Sequence, residues 1–129
     1  MIDAGGKRVL VVDDAALVRL FYRDALESAG FEVDEALNGL EALEKVLAAR
    51  PDLLVVDVNM PQMDGLTFIE ALRRQELPLA STPALITSTE GGPQDFDAAR
   101  AAGANFYLVK PISGETLVEY AAMLCGVGA

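Results

Sequence analysis

The chain has 129 residues, 52% hydrophobic and 23% charged, an ordinary globular composition for one domain that buries about two thirds of its unfolded surface. Its net charge of −10, with only ten Lys and Arg, excludes a basic phosphate-tracking surface, so no nucleic acid is expected as a partner and basic patches on other proteins are. The absence of histidine excludes imidazole metal ligands and His acid–base chemistry, and the single Cys125 excludes an intramolecular disulfide.

From the amino end, residues 1–7 lack the apolar centre of a signal peptide and read as an N-terminal tail. No later apolar stretch is long enough to span a bilayer, so no membrane is expected and the expected location is cytoplasmic. Residues 8–12 are the first of five short runs of aliphatic and β-branched residues, followed by 31–36, 53–56, 84–87 and 106–109. Runs this short predict strands of a parallel sheet buried on both faces.

The segments between the runs have helical period. Leu17, Leu20, Phe21 and Ala25 share one face, as do Leu40, Leu43 and Leu47, then Leu66 and Ile69, and finally Leu117, Ala121 and Leu124. Residues 93–102 are alanine-rich and open on Pro93, which suits a first helical turn. Gly30, Arg50-Pro51 and Gly103 punctuate helix ends. Five strands alternating with five helices predict an α/β domain over residues 8–125, with 126–129 as a C-terminal tail and no internal linker or repeat.

Three of the apolar runs end in polar groups: Asp13-Asp14, Asp57 and Lys110-Pro111. Parallel sheets bind ligands outside the carboxyl ends of their strands. Right-handed crossovers leave few windings, and in the order 2-1-3-4-5 the first and third strands are neighbours, which sets Asp13, Asp14 and Asp57 side by side. Two carboxylates about 5 Å apart repel by roughly 3 kcal/mol at an effective dielectric near 20, so a balancing cation is expected. Hard oxygen ligands at a strand edge suit Mg²⁺, and a carboxylate beside that ion can act as a nucleophile and form an aspartyl phosphate. Each Asp alone has a structural use, as a helix cap or a strand end, but such uses give no reason for convergence with Lys110 on one rim.

Asp13-Asp14, Asp57 with Val58-Asn59-Met60-Pro61, Met63-Asp64-Gly65, a hydroxyl ending the fourth strand, and Lys110-Pro111 together resemble the receiver domain of two-component response regulators. The resemblance runs from about Arg8 to Leu124. It implies a doubly wound five-stranded parallel sheet of order 2-1-3-4-5 with five helices, the flavodoxin-like arrangement known from CheY. Asp57 would be the phosphoacceptor, drawing its phosphoryl group from a phosphohistidine on a histidine kinase or phosphotransfer protein, or from a small donor. Asp14 and Asp57 would hold Mg²⁺ by their carboxylates, Asn59 by its backbone carbonyl and Asp13 largely through water. Lys110 would pair with the phosphoryl oxygens, and the bond before Pro111 would be cis.

Thr87 and Ser88 are both candidates for the switch hydroxyl, with Thr89 behind them. The family commonly places this residue five after the proline that opens the fourth strand, and counting from Pro83 implies Ser88. Thr89 then stands where the family usually has alanine or glycine. Asn59, Thr89 and Glu90 would flank the phosphoryl group, where side chains tune the access of water. Tyr107, three residues before Lys110, matches the aromatic switch, and its other use is as a half-buried strand aromatic.

The implied product is a signalling receiver that catalyses only its own phosphorylation and dephosphorylation, possessing an output face on the fourth helix, fifth strand and fifth helix, from about Gly91 to Tyr120. A downstream protein in chemotaxis or motility is the expected reader of a monomer or weak dimer; the alternatives are a phosphorelay intermediate and a receiver from a larger regulator. A Mg²⁺-dependent aspartyl-phosphate phosphatase of the dehalogenase type needs Asp-x-Asp, an interval that Asp13-Asp14-Ala15-Ala16 lacks. A nucleotide-binding module needs a glycine- or hydroxyl-rich cradle, which Ala15-Ala16-Leu17 does not provide.

Overall fold

Five parallel strands form one sheet in the order β2-β1-β3-β4-β5. The strands are β1 (Arg8–Val12), β2 (Glu32–Ala36), β3 (Leu53–Asp57), β4 (Ala84–Ser88) and β5 (Phe106–Val109). They alternate with α1 (Ala16–Ser28), α2 (Gly39–Ala48), α3 (Gly65–Arg73), α4 (Pro93–Ala102) and α5 (Gly114–Leu124), and a single 3-10 turn at Leu79–Ser81 precedes β4. The structure, a computed structural model, describes residues 3–127. Met1, Ile2, Gly128 and Ala129, the outer ends of the expected tails, lie outside the described residues.

Alternation along the strands divides the core into two layers. Leu10, Val12, Leu54, Val56, Ala84 and Ile86 face α2, α3 and α4, where Val46, Phe68, Ile69, Leu72 and Ala99 meet them. Val9, Val11, Leu53, Val55 and Leu85 face α1 and α5, where Tyr22, Leu26, Leu117 and Ala121 close the second layer. The helices start at local signals: Asn38 Oδ1 accepts the Glu41 N–H at 2.9 Å, Asp64 Oδ1 the Thr67 N–H at 2.9 Å and Ser113 Oγ the Thr116 N–H at 3.1 Å. At α4, Asp95 Oδ2 accepts the Gly92 N–H at 3.0 Å, and Gly103 ends the helix at φ 107°, a left-handed conformation that suits glycine.

Two helical faces differ from expectation. On α1, Leu17, Leu20 and Phe21 are exposed, and the core instead takes Tyr22 and Leu26 with Val18 against them. On α2, Leu40 and Leu47 are exposed while Ala42 and Val46 are buried. Both helices carry two adjacent apolar stripes, and the spacing of Leu and Phe alone selects the wrong one; the sheet is met through Tyr22 and Leu26 on α1 and through the smaller Ala42 and Val46 on α2. Strand ends also shift by one residue, so that Asp57 and Ser88 are the last residues of β3 and β4.

The expected tails are partly folded onto the domain. Ala4 is buried in the α1/α5 layer and its N–H donates to the Ala29 carbonyl at 2.9 Å. At the other end Val127 packs on the same layer, and its N–H donates to the Ala122 carbonyl at 2.8 Å. Burial pushes the Cys125 thiol pKa up to about 11, which makes it an unreactive packing group. Among the described residues, no helix is long and apolar enough to cross a membrane.

Candidate functional site

The carboxyl ends of β1, β3, β4 and β5 converge because the sheet is parallel and the switch in strand order falls between β1 and β3. Asp13 follows β1 directly, Asp57 ends β3, Ser88 ends β4 and Lys110 follows β5. Carboxylate oxygens of Asp13, Asp14 and Asp57 lie within 4.8 Å of one another, a group that could hold a metal ion. Asp13 and Asp57 are buried and Asp14 is exposed, so the cluster opens to solvent on the Asp14 side.

Helix capping does not explain the cluster. The residue before α1 is Ala15, which makes no side-chain cap. Asp13 turns back instead, its Oδ1 accepting the Ala15 N–H at 2.9 Å and its Oδ2 accepting from Lys110 Nζ at 2.9 Å. Lys110 Nζ also reaches Asp57 Oδ1 at 3.2 Å, and its backbone N–H donates to the Ser88 carbonyl at 2.7 Å. The Lys110-Pro111 bond is cis, as the resemblance implied, and so is Leu77-Pro78.

One ammonium faces three carboxylates. Burial, then the Asp13 charge, raise the Asp57 pKa above the usual carboxylate value, and Lys110 offsets them only in part. Burial works against the Lys110 charge, but the hydrogen bonds and charges of Asp13 and Asp57 outweigh it and hold its pKa above the ordinary lysine value. A hard, all-oxygen donor set with unbalanced negative charge fits a small divalent cation.

The loops around the cluster are locally determined. Asp64 caps α3, and at Gly65 a Cβ would collide with the Asp57 carbonyl oxygen, so the Asp64-Gly65 pair lets α3 start against the end of β3. Asn59 is exposed two residues past Asp57. Ser88 is buried, with its Oγ accepting the Glu90 N–H at 3.1 Å, while the Thr89 and Glu90 side chains are exposed. The Tyr107 hydroxyl donates to the Glu90 carbonyl at 2.7 Å, and its ring meets Phe96 edge-on at 4.8 Å.

Several polar residues near the site were not singled out from the sequence. Arg19 Nη1 donates to the Asp13 carbonyl at 2.7 Å, and Glu35 accepts from Arg19 Nε at 2.9 Å and Arg23 Nε at 2.7 Å, tying α1 to β1 and β2. Arg19 and Arg23, four residues apart on one helix face, were the available signal. Tyr22 and Thr87 are both buried, and Thr87 Oγ1 has no hydrogen-bond partner among the described residues. Burial raises the Tyr22 phenol pKa and Lys110 counters only part of that.

Residues 9–122 match the family model of the response regulator receiver domain. The chain is 37% identical to the chemotaxis protein CheY of Thermotoga maritima over 88% of its own length and 93% of that protein's. It is 39% identical to the transcriptional regulatory protein PrrA of Mycobacterium leprae and 44% identical to a protein-glutamate methylesterase/protein-glutamine glutaminase of Archaeoglobus fulgidus, but spans only 52% and 30% of their lengths. The structure of the chemotaxis response regulator CheY4 of Vibrio cholerae superposes with a TM-score of 0.86 at 39% identity, covering 92% of this chain and 98% of that one.

Proposed function

Because the chain belongs to the response regulator receiver domain family and is of the CheY type, we propose that it is a switch operated by phosphorylation of Asp57. The observation that carries this reading is the position of Asp57: buried at the end of β3, its carboxylate within 4.8 Å of ligand atoms of Asp13 and Asp14 and 3.2 Å from the Lys110 ammonium. A carboxylate in that setting is a nucleophile with its electrostatic support already assembled. An Asp57 oxygen attacks phosphorus while the P–N bond of a donor phosphohistidine breaks, and the imidazole leaves with the electron pair. The product is an acyl phosphate on Asp57.

Lys110 then turns from the carboxylates to the phosphoryl oxygens, and Ser88 gives up the Glu90 N–H to donate to them. Asp14, Asp57 and the Asn59 carbonyl would hold Mg²⁺, with Asp13 acting through water. Bound there, the ion neutralises charge that builds on the transferring group. Asn59, Thr89 and Glu90 flank the group and set the access of water for hydrolysis. The domain thus acts on itself and is not an enzyme toward other substrates.

A histidine kinase or phosphotransfer protein is the proposed donor. Leu17, Phe21, Lys110 and Pro111 line an apolar groove of about 570 Å³ beside the site, a suitable rest for it. The proposed output face is α4, β5 and α5, where Phe96, Phe106 and Val109 are partly exposed and Tyr107 couples them to the Glu90 loop. Its reader is a downstream protein, in motility control or, in relatives with further domains, the attached effector. Incubation with acetyl phosphate, with and without Mg²⁺, tests the reading by intact mass. One phosphoryl group is expected on the wild type with Mg²⁺ and none on Asp57→Asn; equal labelling of both would contradict it.

A further inference from the structure

Asp13 and Asp14 are consecutive but are held by different means. Asp13 is pinned at every polar atom: its N–H donates to the Ala36 carbonyl at 3.1 Å, its carbonyl accepts from Arg19 Nη1 at 2.7 Å, and its carboxylate accepts from the Ala15 N–H and from Lys110 Nζ, each at 2.9 Å. Asp14 is exposed, and among the described residues its carboxylate takes part in no hydrogen bond or ion pair. The Asp13 carbonyl belongs to the planar peptide unit that ends at the Asp14 Cα, so whatever holds that oxygen sets the plane from which the Asp14 side chain leaves. The group that holds it is Arg19.

The Arg19 guanidinium is itself fixed. Its Nε donates to Glu35 Oε1 at 2.9 Å, and the other Glu35 oxygen accepts from Arg23 Nε at 2.7 Å, which stops the carboxylate from turning. Because a guanidinium is planar, its two donors place the Asp13 carbonyl relative to Glu35 on β2. The Arg19 side chain is 12% exposed and that of Arg23 31%, so the Arg19 bonds are the less screened. A tie between α1 and β2 needs only the bonds to Glu35, and Arg23 makes one without reaching the loop after β1; the second bond of Arg19 adds nothing to that tie. We propose that Arg19, braced by Glu35 and Arg23, is a positioning residue that presets Asp14 as a ligand for Mg²⁺ through the Asp13-Asp14 peptide plane. Losing an outer hydrogen bond that orients a metal ligand costs about 10- to 100-fold in metal affinity. The inference rests on the reading of the acidic cluster as a Mg²⁺ site.

The test titrates Mg²⁺ by calorimetry into the wild type, Arg19→Met, Arg19→Lys and Arg23→Met, well below their unfolding midpoints, so that a loss of stability alone leaves the affinity unmoved. Each Met variant removes one positive charge beside the same Glu35, which by charge alone would tighten the binding of a cation. Arg19→Met is nevertheless expected to weaken Mg²⁺ binding about tenfold, and Arg23→Met to stay within about twofold of wild type. Arg19→Lys keeps the charge but cannot serve both acceptors in one plane, so it is expected to weaken binding severalfold, and it carries the comparison if Arg19→Met does not fold. Before any metal is added, the Asp14 amide resonance is expected to move in the Arg19 variants and to hold in Arg23→Met. Mg²⁺ affinity unchanged or raised in the Arg19 variants, affinity lowered equally in Arg23→Met, or an Asp14 amide that does not move would overturn the role of Arg19 alone. Absence of Mg²⁺ binding by the wild type would overturn the Mg²⁺ reading of the cluster together with it.

Discussion

Lys110 Nζ lies 2.9 Å from Asp13 Oδ2, joining the end of the first strand to the end of the last across 97 residues of sequence. The same ammonium reaches Asp57 at 3.2 Å, so one cation is shared by two buried carboxylates and the pocket keeps a net negative charge. That imbalance makes the site both a stability defect when empty and a cation trap.

The defect has a pH signature. The Asp57 pKa is raised by burial and by Asp13, so the folded chain keeps that proton to higher pH than the unfolded chain does. Stability is therefore lost as pH rises through the folded-state pKa of Asp57. In the presence of a chelator, Asp57→Asn is expected to raise unfolding stability at pH 7 and to leave it unchanged or lower it at pH 3. Urea titrations at the two pH values check this; a variant less stable than wild type at pH 7 would contradict it.

The cation trap predicts linkage. Mg²⁺ at about 100 times its dissociation constant should stabilise the fold by about 2.7 kcal/mol, read as a rise in thermal midpoint. Asp14 is exposed, so Asp14→Ala should change the metal-free stability by no more than about 0.5 kcal/mol while removing most of the Mg²⁺ effect. An equal Mg²⁺ effect in the variant would place the ion elsewhere.

Much of this site was legible because strand ends announce themselves. Asp13, Asp57 and Lys110 each follow an apolar run, and a parallel sheet brings such ends to one rim. What was not legible depends on which helical stripe faces the sheet. Tyr22 adjoins Phe21 in the sequence, and only packing shows that Tyr22 is buried while Phe21 stays outside. Arg73 was equally silent, since its partners lie 7 to 32 residues away and three of its four acceptors are backbone carbonyls.

Arg73 is the strongest structural polar group outside the site. It donates to the carbonyls of Gly103, Ala80 and Thr82 and to Asn105 Oδ1, pinning the carboxyl end of α4 to the starts of β4 and β5. Arg73→Ala is expected to lose about 3 kcal/mol of unfolding stability, and Arg73→Lys to recover less than half, because an ammonium cannot serve four acceptors in one plane. Denaturant unfolding of both variants measures this.

With its far end pinned by Arg73, α4 is expected to shift at its entrance, where Gly91 and Gly92 precede Pro93. The Tyr107 hydroxyl on the Glu90 carbonyl, at 2.7 Å, is the bond that restrains this entrance. Tyr107→Phe is expected to increase microsecond-to-millisecond exchange in residues 88–96, seen by relaxation-dispersion NMR. Exchange that is absent from this loop in both proteins would contradict the entrance as the mobile element.

The most direct measurement is to locate the modified side chain. An aspartyl phosphate is reduced by borohydride to homoserine, so peptide mapping after reaction with acetyl phosphate and Mg²⁺ reads the phosphoacceptor itself. Homoserine at position 57 is the predicted result. Homoserine at position 13, 14 or 64, or at none, would contradict the assignment of Asp57.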